Sequence, residues 1–135
     1  MDILHKLQKK FIRLATSSDK YEHAAPLLKQ FEILNVYDLF KSNVACFTYN
    51  IINKTDKFPH ERFSEFITKN SDIHPYRTRN RNAIRSVKAN KSLGEKSVKV
   101  EIYRAWKTIP IEIKESKSTK AFKKNLKSWL LKEYR

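Results

Sequence analysis

Between Asn70 and Arg85 the chain carries His74, Tyr76, Arg77, Thr78, Arg79, Arg81 and Arg85. Guanidinium groups pair with phosphate oxygens through two parallel N–H bonds, threonine hydroxyls donate to the same oxygens, and tyrosine or histidine rings stack on unpaired bases. Six basic residues run from Arg77 to Lys91 with no acid between them. That concentration calls for a counter-charge, and the chemistry it implies is the binding of a polyanion such as RNA or DNA. The plainer reading of the same residues is a solvated loop whose His74 and Tyr76 pack on the core.

Other chemistries find little support. His5, His23, His60 and His74 lack the close spacing and the Cys or carboxylate partners of a zinc site, so no metal and no cofactor is expected. Asp2, Asp19, Asp38, Asp56 and Asp72 include no adjacent pair that could hold two magnesium ions on a turn. Gly94 is the single glycine, which excludes a Gly-rich phosphate loop, and no nucleophile stands beside an evident base. The residues point to a chain that binds and does not catalyse, with no small-molecule substrate.

The charge agrees. Against 14 acidic residues stand 29 lysines and arginines, a formal net charge of +15 over 135 residues, which repels a compact monomer unless an anion neutralises it. Cys46 is alone, so no disulfide can form within the chain and an intracellular compartment, nucleus or cytoplasm, is expected. Lys6, Lys9, Lys10 and Arg13 interrupt the first apolar stretch, and no other run reaches membrane length, so no membrane partner is expected.

The elements that would position these groups are helical. Ile3, Leu4, Leu7, Phe11 and Leu14 recur at helical spacing, with Lys6, Lys9, Lys10 and Arg13 on the other side of the wheel. Pro26 suits the first turn of a short second helix. Asn35 is a fitting N-cap with Asp38 three residues on, and Val36, Leu39, Phe40, Val44, Phe47, Ile51 and Ile52 form the stripe of the most apolar helix. Phe58-Pro59 breaks the pattern before a short helix over 61–67. The expected core comprises Phe40, Val44, Phe47, Ile51, Phe63, Phe66 and Trp129.

From 69 to 96 the apolar periodicity fades and a basic loop is expected, ordered on binding. Val98, Val100 and Ile102 alternate as in a strand, yet Val98, Ile102, Ala105, Trp106 and Ile109 also make a helical stripe; we prefer the helix, ended by Pro110. Ser118 caps a last helix with Phe122, Leu126, Trp129 and Leu130 on one face and Lys120, Lys123, Lys124 and Lys127 on the other. Both tryptophans read as core residues. The reading is an all-α domain in three parts: helices over 1–68, the basic loop over 69–96, and helices over 97–135 packing back on the first part. Nucleic acid would be met by Lys6, Lys9, Lys10 and Arg13, by the loop, and by Lys120, Lys123, Lys124 and Lys127. Lys114, Lys117 and Lys132 are expected to be bystanders.

In sequence order, Leu7-Gln8-Lys9-Lys10-Phe11-Ile12-Arg13, His23-Ala24-Ala25-Pro26-Leu27-Leu28 and Ile33-Leu34 are followed by Phe47, Tyr49, Pro59, Phe63 and Phe66. Then come His74, Tyr76, Thr78 and Arg79 as H-x-Y-x-T-R, Ser97, Trp106 with Pro110, and Ser118 before Phe122-Lys123-Lys124. This ordered set resembles the region after the palm in LINE-type (non-LTR) retrotransposon reverse transcriptases. The resemblance spans nearly the whole chain and implies a helical thumb and post-thumb region, which grips RNA template or RNA–DNA duplex while a separate palm domain does chemistry. The palm motif Y-x-D-D is absent from these residues. The chain departs from the pattern where a glycine common before the tryptophan is replaced near Ile102, and where the polar residue usual after it is Lys107. Two other readings remain: a helical interaction module docking on a reverse-transcriptase domain, or a decayed element copy without selected activity.

Overall fold

A computed structural model of the protein describes residues 1–55, 59–88, 94 and 97–134; Asp56, Phe58, Lys91, Glu95, Lys96 and the side chain of His60 lie outside the described residues. The described residues form an all-α domain with seven α-helices: α1 (Asp2–Ala15), α2 (Ala24–Gln30), α3 (Val36–Ile52), α4 (His60–Phe63), α5 (Val98–Thr108), α6 (Ile111–Lys114) and α7 (Thr119–Lys132). Short 3-10 turns cover Ser64–Phe66 and Asn70–Asp72. No described helix is long and apolar enough to cross a membrane.

The helix starts follow from local chemistry. The Asn35 side chain accepts from the Asp38 N–H at 2.9 Å and donates to the Asp38 carboxylate at 2.6 Å, satisfying one of the unpaired first-turn donors of α3. Ser118 does the same for α7, accepting from the Ala121 N–H at 3.2 Å. Helix, not strand, forms over Val98–Thr108 and stops before Pro110, where a missing N–H cannot continue the ladder.

The core sits where α5, α6 and α7 close on α3. Ala45, Tyr49, Ile109, Ile113, Phe122, Leu126 and Leu130 form it, with the Tyr49 and Phe122 rings stacked 4.3 Å apart. This differs from the expected core. Of the seven residues expected there only Ile51 is buried; Phe40 is 40% exposed, and Val44, Phe47, Phe63, Phe66 and Trp129 are half-buried. The buried face of α3 is made instead by Ser42, Ala45, Thr48, Tyr49 and Ile51, where small side chains admit the crossing helices and the Thr48 hydroxyl is satisfied by the Val44 carbonyl at 2.8 Å. Phe47 belongs to a side cluster, edge-on to Phe63 at 5.3 Å.

A second cluster joins α1 and α2 to the chain end: Ile12, Ala24, Leu27, Leu28, Leu131 and Tyr134. The Tyr134 hydroxyl donates to Asp38 at 2.7 Å and accepts from the Asn35 N–H at 2.7 Å, tying the end of the chain to the α3 cap. Burial pushes this phenol well above the ordinary tyrosine range.

Helix α1 leaves its apolar stripe unpacked. Its apolar stripe of Ile3, Leu4, Leu7, Phe11 and Leu14 faces water, each residue between 54% and 79% exposed. The face that packs carries His5, Gln8 and Ile12 instead. Gln8 explains the choice: its amide donates to the Leu34 carbonyl at 2.9 Å and accepts from the Val36 N–H at 3.0 Å, pairing backbone groups that the α2–α3 turn leaves open.

Candidate nucleic-acid interface

The arginine-rich stretch is held at both ends. The Asn70 N–H donates to the Ala83 carbonyl at 3.1 Å, the Ser71 N–H to Arg81 at 2.9 Å, and the Arg85 N–H to Thr68 at 2.8 Å, around an isolated antiparallel bridge between Lys69 and Ile84. Ile84 is buried and anchors the return strand of the loop. The side chain of Asn70 donates across the loop to the Asn80 carbonyl at 2.9 Å. The described part of this loop, up to Lys88, is closed by its own backbone hydrogen bonds.

The loop borders a groove of about 940 Å³ whose remaining lining comes from α5 and α6. Arg77, Thr78, Arg79 and Arg81 contribute from the loop; Tyr103, Trp106 and Lys107, spaced three and four apart on one face of α5, contribute with Lys114 of α6. Among the described residues five cations line it and no carboxylate does. The Lys107 ammonium stands 5.9 Å over the Tyr103 ring, and Lys114 stands 5.5 Å over Trp106. Partial burial holds the Lys114 ammonium below the usual lysine range. A convergent set of largely exposed cations with no described acid beside it favours an anion with several oxygens.

Comparison of the chain with family models, with curated proteins and with solved structures gives no match. The groove therefore carries the functional argument by its own chemistry.

Of the residues expected to meet nucleic acid, the structure brings Arg77, Thr78, Arg79 and Arg81 together and leaves the others apart. His74 and Tyr76 are exposed outside the groove, Tyr76 at 75%. Arg85 lines a smaller neighbouring cleft with Lys88 and Lys99. Lys6, Lys9, Lys10 and Arg13 border a shallow depression on α1 with Ile3 and Leu7, and the Arg13 guanidinium donates to the Glu22 carbonyl at 2.7 Å. On α7, Lys120, Lys123 and Lys124 are exposed, while Lys127 pairs with Glu32 at 3.6 Å. Sequence reasoning missed Tyr103, Lys107 and Lys114, and assigned Trp106 to the core alone. Trp106 does pack there, 6.0 Å from the Phe122 ring, yet it also lines the groove. Among the described residues no group of three or more His, Cys, Asp or Glu is arranged to hold a metal ion.

Proposed function

We infer that the chain is a non-catalytic nucleic-acid-binding module that holds RNA, or an RNA–DNA duplex, chiefly by its phosphates. One observation carries this reading: Arg77, Arg79, Arg81, Lys107 and Lys114 converge on one groove that, among the described residues, no carboxylate lines. Phosphate contacts from Arg and Lys supply most sequence-independent affinity, and each neutralised phosphate releases counterions. The role is positioning, as the resemblance to the thumb and post-thumb of LINE-type reverse transcriptases implies, and the sequence offers no carboxylate pair for bond-making chemistry. The test is binding of the purified chain to single-stranded RNA, duplex DNA and hybrid duplex across a salt series. The expected outcome is affinity that falls steeply and linearly in log–log form with salt; affinity independent of salt would refute phosphate contact.

The exposed stripe of α1 supports a second, compatible role. Five large apolar side chains stand in water along one face of this helix, and contiguous exposed apolar surface of this kind marks interaction sites. In this reading the stripe docks on the reverse-transcriptase catalytic domain that the resemblance implies, and the groove faces the nucleic acid held between them.

A further inference from the structure

Resting on the nucleic-acid reading, we propose that the groove between the loop and α5–α6 takes a short single strand, with an unpaired base stacked on Tyr103 or Trp106, in preference to a duplex. Its volume of about 940 Å³ lies in the range of ligand clefts. A few flexible nucleotides fill such a space, whereas a duplex is a convex cylinder that meets it only at the rim.

The lining has the two components a single strand requires. Cations stand on both the loop and the helices to hold the backbone, and two aromatic rings lie among them. In a duplex the ring faces of the bases are hidden in the stack; in a single strand they are available to protein aromatics. The lysines above the rings do not block this use. Lys107 is exposed, and at 5.9 Å from the Tyr103 centroid it holds the ring loosely. A phosphate beside it is the stronger partner for an ammonium, and moving Lys107 or Lys114 onto phosphate uncovers the ring beneath. Asn82 and Thr78 also line the groove and offer side-chain donors and acceptors to base edges. Tyr103 offers its ring from the helix side, and Trp106 is braced from behind by Phe122, so a base on Trp106 meets a ring already fixed in place.

The test uses the full chain with a labelled single-stranded RNA of mixed sequence, the same RNA as a duplex, and an abasic strand of equal length, at one salt concentration. The single strand is expected to bind at least about fivefold tighter than the abasic strand, the lower end of the value of one base–aromatic stack, and tighter than the duplex. Tyr103→Leu should reduce that advantage, the loss falling on the base-bearing strand more than on the duplex or the abasic strand, and Tyr103→Phe should retain it. Helical circular dichroism of each variant checks the fold. Independently, Trp129→Phe leaves Trp106 as the sole indole of the two in the chain, and its emission should be quenched by the base-bearing strand and not by the abasic one. Equal affinity for all three probes with no quenching would overturn the single-strand proposal. If Arg77→Ala, Arg79→Ala and Arg81→Ala together still weakened all three, the broader phosphate reading would stand. No binding of any probe would end both.

Discussion

Lys114 lies 5.5 Å over the ring of Trp106, eight residues earlier in the chain, and both face the groove that Arg77, Arg79 and Arg81 line. A lysine expected to be a bystander thus stands with the arginine-rich loop. Burial lowers its proton affinity, because a partly desolvated ammonium loses hydration. A phosphate beside it acts in the opposite sense and favours the charged form. Titration of Lys114 by NMR should therefore give a value below that of ordinary lysines in the free chain and a higher one with oligonucleotide bound. Binding draws on the charged form, so affinity should decline as pH rises through the lowered value. An unchanged Lys114 titration on binding would remove it from the site.

Stability should follow the observed core. Phe122 is fully buried and stacked on Tyr49, so Phe122→Ala should cost about 3–5 kcal/mol in urea unfolding. Phe47 is half-buried in the side cluster with Phe63, and Phe47→Ala should cost clearly less. Equal costs would place the core on the opposite face of α3.

On α1 the expectation inverts the usual rule for apolar residues. Leu7→Ser, Phe11→Ser and Leu14→Ser should each change stability by no more than about 0.5 kcal/mol, as exposed positions do. Ile12→Ala, on the packed face, should cost about 2 kcal/mol or more. If the serine variants unfold the chain as readily as Ile12→Ala, α1 packs through its apolar stripe and the docking reading fails.

What was legible in the sequence was local. Asn35 and Ser118 announced their helices because a cap is decided by a side chain and an N–H three residues away. The all-α class followed from periodicity and the near absence of glycine. Which face of a helix is buried depends on partners elsewhere: hydrophobicity selected Phe47 and Leu7, whereas small residues at Ser42 and Ala45 and the amide of Gln8 decided the packing. The loop half of the groove was readable because Arg77, Arg79 and Arg81 alternate along one short segment. The helix half was not, since Tyr103, Trp106 and Lys114 reach Arg77 and Arg81 only through the fold.

The central claim, that one groove and not the overall charge binds nucleic acid, is tested most directly by two charge-matched triple variants. Arg77→Ala, Arg79→Ala and Arg81→Ala remove three groove cations; Lys120→Ala, Lys123→Ala and Lys124→Ala remove three exposed cations of α7 outside it. Both lower the net charge equally. Salt-titrated binding to single-stranded RNA should give the arginine triple a loss of at least about tenfold and a log–log slope shallower by about 2, near 0.7 for each phosphate contact removed. The lysine triple should stay close to the parent chain. Equal losses in the two variants would mean that a diffuse basic surface does the binding, and the groove account would be wrong.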